Sequence, residues 1–331
     1  MVYRYQVATV FGGSGFIGRH IIRRLAKTGC VIRVPSRHPG RLTSLKPMGA
    51  VGQIVPLAVN LKDDASLDYA VRGADLVINL IGILAPQGRH DTFANVHGDL
   101  PGRIAKAAKA AGVERFVQMS SLGADPDAVA EYARTKGHGE QAVLAAFPEA
   151  TIFRPSIVFG PEDGFFNRFA AMAQLLPFLP LIGGGHTKFQ PVYVGDVAEA
   201  VMSALATTES KGRVYELGGP RVYSFRQLMD LVKRETMRPK KRLVEIPWGL
   251  ARLQGAVFEK LPGKIITQDQ VELLRVDNVV SGKHPGLAEL GVTPTTAEVI
   301  VPTYLDKFRV GGRFTSPGTG APGTGKRDAA A

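Results

Sequence analysis

Short apolar runs alternate with longer stretches in which apolar residues return every three or four positions, and this alternation fills the first half of the chain. The first run, residues 7–11, predicts a buried strand that ends in a glycine-rich turn. Ile17, Ile21 and Leu25 then recur at a spacing of four, which predicts a helix over 16–27 with one face on a sheet. Runs at 30–35, 53–59, 76–81 and 115–119 predict strands two to five, with a helix over 92–111 before the fifth. Repeated strand and helix alternation of this kind predicts an α/β, doubly wound, mostly parallel sheet rather than an antiparallel sandwich.

The turn Gly12-Gly13-Ser14-Gly15-Phe16-Ile17-Gly18 supplies the first candidate chemistry. Glycines 12, 15 and 18 stand three apart, and 13, 15 and 18 also satisfy a dinucleotide fingerprint. Such a turn lets backbone N–H groups and a helix N-terminus approach a pyrophosphate. Beyond the second strand no acid stands ready for a ribose 2'-hydroxyl; Arg37 and Arg41 follow instead. That charge favours a 2'-phosphate, and so NADPH over NADH, against the plain alternative of two arginines solvating a loop. Asn60 and Leu61, with Lys62, are placed at the adenine-side wall, and Leu80, Ile81 and Gly82 at the crevice where strand four ends. Ser120 and Ser121 follow strand five, and Tyr132 and Lys136 stand one helical turn apart. A lysine so placed can hold the nicotinamide ribose and lower the phenol pKa, while Ser121 orients a carbonyl or alcohol oxygen. The plain alternative is a helix edge with one buried aromatic and one exposed base. Only ten residues separate Ser121 from Tyr132, which predicts that the serine fails to share a carbonyl with the phenol.

Composition narrows the setting. With 331 residues and 45% hydrophobic residues, the chain can bury a large core. One cysteine, Cys30, excludes an internal disulfide and a cysteine-built metal site, and the seven histidines are scattered, so no metal is expected. Neither a signal segment nor an apolar run long enough to span a bilayer is present in the sequence. The net charge of +12 is uneven: ten Lys or Arg and no acid lie in residues 1–62, and a second basic cluster occupies 233–242. These fields favour anionic partners, but no nucleic-acid-reading motif accompanies them and no nucleic acid is expected.

The second half predicts a strand at 215–218, a helix starting near Phe225 capped by Ser224, a helix over 268–274, and a terminal helical unit from 287–291 and 293–308. Trp248, Leu250, Leu253, Val257, Phe258 and Leu261 fall largely on one helical side, which reads either as core or as a docking surface at a protein or membrane interface. Residues 315–331 are rich in Ser, Pro, Gly and Thr and predict a flexible tail.

Together the glycine turn, residues 79–82, Asn95-Val96-His97-Gly98, the serine pair, Tyr132 to Lys136, Arg154-Pro155-Ser156-Ile157-Val158-Phe159-Gly160-Pro161 and residues 190–198 resemble the extended and atypical short-chain dehydrogenase/reductase superfamily. Residues 11–19, 79–84, 154–163, Phe165-Phe166-Asn167-Arg168-Phe169 and Pro180-Leu181-Ile182-Gly183-Gly184-Gly185 more closely resemble the nucleotide-binding accessory subunit of respiratory complex I, especially its bacterial form. The resemblance spans residues 5–314 and implies a Rossmann domain over 1–160 completed near 190–218, with a smaller, interleaved α/β partner region over 161–314. It adds Pro155 and Ile157 to the cofactor contacts. It further implies a tightly held NADPH that serves structure, no independent catalysis, other complex I subunits as partners, and a place on the cytoplasmic face of the bacterial inner membrane, to which the basic fields add contact with anionic lipid. Two other readings stay open: a free NADP-dependent reductase or sugar-nucleotide epimerase using Ser121, Tyr132 and Lys136, and an NADPH-sensing regulatory protein.

Overall fold

The computed structural model describes residues 5–258 and 267–314. Strands β1 (Val7–Phe11), β2 (Val31–Ser36), β3 (Ile54–Ala58), β4 (Leu76–Asn79), β5 (Arg115–Met119) and β6 (Thr151–Pro155) follow one another along the chain. Between them lie helices α1 (Phe16–Ala26), α2 (Asp64–Val71), α3 (Leu100–Ala110) and α4 (Glu131–Ala146). β7 (Val158–Phe159), β8 (Phe178–Ile182), β9 (Lys188–Phe189), β10 (Val192–Tyr193) and β11 (Val214–Leu217) come next, with α5 (Phe166–Leu175) and α6 (Val194–Ala206). The seven-stranded sheet has the order β11-β6-β5-β4-β1-β2-β3, and each pairing in it is parallel.

Both faces of this sheet are apolar because helices cover both. Val10, Ile32, Ile78 and Val117 pack on one side with Ile21, Leu25, Val197 and Val201 of α1 and α6. Phe11, Val77 and Phe116 point to the other, against Leu67, Ile104 and Val143 of α2, α3 and α4. Cys30 closes the edge of the first layer, 2% exposed, and burial pushes its thiol up to about 11. The Gln53 amide donates to its carbonyl at 3.0 Å, tying β2 to the turn before β3.

Strand order reverses between β1 and β4, which places the ligand crevice at their carboxyl ends. The predicted strand at 76–81 stops at Asn79, because the backbone must leave the ladder there to meet the glycine turn. The helix predicted over 92–111 is two elements: a π-helical turn at Ala94–Asp99 leads into α3. Pro101 enters α3 in its first turn, where its missing N–H costs nothing.

The remaining elements build the smaller region around Phe159, Phe166, Phe189, Phe225, Leu228 and Leu305. β12 (Tyr223–Ser224) runs antiparallel to β9, and α7 (Phe225–Glu235) starts at Ser224 with a reciprocal capping box to Gln227. β13 (Arg242–Ile246) pairs in parallel with β8 and leads into α8 (Trp248–Phe258) and α9 (Gln268–Leu273). The terminal unit is a series of short turns rather than one helix: Ala288–Leu290, α10 (Ala297–Ile300) and α11 (Pro302–Leu305), with Pro302 breaking the run. On α8, Ala251 is buried whereas Leu250 and Leu253 are exposed, so the outward leucines are not core. Leu261 and the tail 315–331 lie outside the described residues, as do the side chains of Val257 and Phe258.

Candidate functional site: a dinucleotide crevice beneath a C-terminal latch

The glycine turn is held by contacts that admit no side chain. Gly12 has φ +73°, and a β-carbon there would stand 2.9 Å from the Leu80 carbonyl carbon. At Gly13 it would meet Ile22 at 2.8 Å, and at Gly18 the Gly13 carbonyl oxygen at 2.5 Å. The turn therefore touches both the end of β4 and the helix it feeds. Gly15 is the N-cap of α1, with no side-chain cap and no acid in the first turn, so the positive end of the helix faces the crevice. Ser14 is exposed, Phe16 and Ile17 are half-buried, and Arg19 donates to the Ser14 carbonyl at 2.7 Å while pairing with Glu162. A pyrophosphate fits this cradle by charge and by its lack of side chains.

On the β2 side of the crevice, Arg37 and Arg41 are exposed. Arg37 pairs with Asp91 at 2.9 Å, a carboxylate from the loop after β4, so a 2'-phosphate would have to compete for that guanidinium. Asn60 is exposed and its side-chain oxygen accepts from the Lys62 N–H at 3.2 Å, whereas Leu61 packs into the second core layer.

The other end gathers Gly82, His97, Ser120, Ser121, Tyr132 and Lys136. Lys136 is 6% exposed and donates to the Met119 carbonyl at 3.4 Å; its ammonium lies 5.9 Å from the Tyr132 ring centroid. Burial lowers Lys136 to about 8, against the opposing pull of Glu140. Ser121 stands beside the Tyr132 phenol, close enough to favour its ionised form though without a hydrogen bond of regular geometry. The ten-residue connection thus leaves serine and tyrosine as neighbours without a regular hydrogen bond between them. The expectation of a phenol with a lowered pKa fails. Burial raises the Tyr132 phenol, Ser121 draws it partly back, and the Asp269 carboxylate pushes it up again. Pro155 is buried at the end of β6, and half-buried Ile157 is anchored by its N–H to Asn278 at 3.2 Å.

Two contributors escaped the sequence reading of the site. His97 is 1% exposed, stacked on Phe93 at 5.4 Å and edge-on to Tyr132 at 5.1 Å. Its Nε2 accepts the Ile83 N–H at 3.0 Å, which fixes the proton on Nδ1, and burial with Lys136 nearby lowers its pKa to about 2. Asp269 of α9 accepts the Glu131 N–H at 2.5 Å and the Tyr132 N–H at 3.1 Å, capping the helix that carries Tyr132 and Lys136. Its neighbour Gln270 donates to the Leu84 carbonyl at 3.0 Å. α9 therefore latches the start of α4 to the loop that leaves β4. In the sequence, His97 is marked only by the Asn95-Val96-His97-Gly98 stretch that carries the family resemblance.

The unpartnered buried hydroxyls of Ser120 and Ser121 and the His97 Nδ1 are polar atoms that a bound ribose or carboxamide can satisfy. Together with the side-chain-free turn and the open helix N-terminus, these residues fit a nicotinamide dinucleotide.

Comparison with known proteins agrees with this geometry. The NAD dependent epimerase/dehydratase family matches residues 8–218. The solved dTDP-glucose 4,6-dehydratase DesIV from Streptomyces venezuelae, determined with NAD and TYD bound, superposes with a TM-score of 0.67 at 18% identity, covering 90% of this chain and 95% of that one. The mitochondrial NADH dehydrogenase [ubiquinone] 1 alpha subcomplex subunit 9 of Arabidopsis thaliana is 37% identical over 318 residues, 92% of this chain and 79% of the plant protein. The chain belongs to the complex I accessory subunit family. Within the epimerase/dehydratase superfamily this accessory subunit family also has enzymatic cousins: the ceramide reductase of Caulobacter vibrioides is 31% identical over 243 residues, 73% of this chain and 74% of the reductase.

The Lys136 pKa carries a prediction. An unfolded lysine titrates near 10.4, roughly two units above its buried value. Between pH 8 and pH 10 the unfolded chain of this accessory subunit holds more protons, so the lysine makes stability rise with pH. Below about pH 8 its destabilising contribution is constant. Denaturant unfolding across this window should give a rise in wild-type stability relative to Lys136→Met; parallel curves would refute the assignment.

Proposed function

We propose that this chain is an NADPH-bearing, non-catalytic accessory subunit of bacterial respiratory complex I, peripheral to the cytoplasmic face of the inner membrane, where the cofactor supports assembly or stability. Kinship with the complex I subunit of Arabidopsis over nearly the whole chain carries this reading. The site supports it: α9 closes over the Tyr132 and Lys136 end of the crevice, and a phenol held above its ordinary pKa is poorly matched to proton exchange near neutrality. The glycine turn would hold the pyrophosphate, Arg37 and Arg41 the 2'-phosphate, and Tyr132 and Lys136 the nicotinamide ribose. Bound dinucleotide would stabilise the folded subunit by mass action without turning over.

Affinity isolation from gently solubilised membranes, with partner masses and nucleotide measured in one particle, tests the proposal. Stoichiometric recovery with the NADH:quinone oxidoreductase subunits and NADPH is the expected result. Recovery as a free protein beside an intact complex would refute it and favour the reductase reading, which the proximity of Ser121, Tyr132 and Lys136 and the kinship with a ceramide reductase keep in play.

Cofactor choice gives a further prediction. Arg37→Ala should weaken NADPH binding about tenfold or more, from loss of a charge-assisted hydrogen bond, and leave NADH binding nearly unchanged. Asp91→Asn removes the competing carboxylate and should tighten NADPH up to about fivefold, the range of an exposed ion pair. Calorimetric titration of both nucleotides decides the matter, and equal losses for the two on Arg37→Ala would end the 2'-phosphate role.

A further inference from the structure

The end of α5, the β8 and β13 pair and the loop leaving α7 form one surface of unusual composition. Leu175 is 81% exposed and Leu176 40%, and Phe178 at the start of β8 is 37% exposed. Register places Arg242 beside Phe178 and Val244 beside Pro180, so the outward side of this parallel pair sets one arginine among apolar residues. Lys241 reaches across to the Leu176 carbonyl at 2.6 Å, joining the lysine loop to the apolar tip. Behind the tip lies a cavity of about 500 Å³ lined by Pro177, Met237, Arg238, Pro239, Lys240 and Lys241, with no carboxylate among them. The nearest acids in sequence are engaged elsewhere, Glu235 with Arg234 and Glu245 with Arg226.

The loop is set by the backbone. Met237 takes φ +57° at the end of α7, with its N–H on Arg234 and the Arg238 N–H on Lys233, a left-handed helix stop normally left to glycine. This stop turns Lys240 and Lys241 toward the tip of α5.

We propose that this face rests on an anionic phospholipid bilayer, with Lys240, Lys241 and Arg242 at headgroup phosphates and Leu175, Leu176 and Phe178 in the interfacial layer. Protruding leucines with a lysine rim suit that setting, because lysine stems lie along apolar surface while their ammonium groups stay with phosphate and water. A protein interface is the poorer match, since its centre is depleted in lysine. No helix among the described residues is long and apolar enough to cross a membrane, so the contact is peripheral. It deepens the complex I reading by naming what this face of the subunit meets, and rests on that reading only for its setting.

The full chain is floated with vesicles of phosphatidylcholine alone or mixed with phosphatidylglycerol. Flotation only with the mixed vesicles is expected. Lys240→Gln with Lys241→Gln should weaken partitioning about twenty-five-fold, at about fivefold per lysine. Leu175→Ser with Phe178→Ser should weaken it about tenfold or more, with thermal melting confirming that both variants fold. Failure of the wild type to float overturns the proposal, as does binding indifferent to the apolar pair, which would be surface attraction alone. If the wild type does not float but both variants lose complex I subunits on isolation, the face is a protein contact and the bilayer is wrong. Flotation with no complex I recovery would instead refute only the accessory-subunit reading.

Discussion

Arg154→Met is expected to lower the free energy of unfolding by about 3–5 kcal/mol, the cost of stranding a buried charge. Arg154 donates from Nε and Nη2 to Glu140 at 2.9 and 2.5 Å, and the Glu140 side chain is only 6% exposed. The carboxylate in turn holds the guanidinium above its ordinary pKa. Glu140 lies one turn beyond Lys136 on α4, and Arg154 projects from β6, so this pair fastens the helix that carries Tyr132 and Lys136 to the sheet. Removing both charges in Glu140→Leu/Arg154→Met should recover most of the loss, because no uncompensated ion is then left inside. Glu140→Gln alone should also drop Lys136 below its value of about 8, since that carboxylate opposes the burial effect. Denaturant unfolding of Arg154→Met, Glu140→Leu and the double tests the coupling. A double variant as unstable as the sum of the singles would show that packing, rather than charge, is what the pair provides.

Gly18→Val should abolish measurable dinucleotide binding, a loss of about a hundredfold or more, and destabilise the chain by about 1–3 kcal/mol through overpacking. The added β-carbon would lie 2.5 and 2.6 Å from the carbonyl oxygens of Gly13 and Gly12. Neither oxygen can withdraw: the turn is pressed on Leu80, and the Gly12 oxygen accepts the Gly15 N–H at 2.9 Å. Helix α1 must therefore lift, carrying its N-terminus away from the glycine turn, where the proposed phosphate cradle would be lost. Gly98→Ala provides the contrast, for a β-carbon at Gly98 meets nothing within 4 Å. It should leave affinity unchanged. Nucleotide titration together with thermal melting separates the two effects, and undiminished affinity in Gly18→Val would remove the turn from the binding site.

Much of the sheet was legible because its strands are short, apolar and punctuated by glycine, and because both faces are buried by helices of matching period. Arg115–Met119 as strand five and the Ser224 cap were readable for the same local reasons. The latch was not. Asp269 caps a helix 137 residues earlier in the chain, and no periodicity in residues 268–274 records that partner. The phenol pKa was misjudged by weighing the nearby lysine and overlooking burial, which dominates once Phe93 and His97 enclose the ring. Two-residue strands such as β9 and β12 exist only through each other and have no pattern of their own.

Cys30 gives the chain an internal reporter. A buried thiol with its pKa near 11 is almost wholly protonated at neutral pH and closed to reagents, so it reacts only in molecules whose β2 edge has opened. Under excess thiol reagent, the rate of modification divided by that of an exposed model thiol gives the open fraction directly. Because this is the sole cysteine, the readout needs no engineered label and no denaturant. Bound nucleotide should slow the reaction in proportion to its free concentration over its dissociation constant, which turns one sulfur atom into a titration of the crevice on the far side of β1.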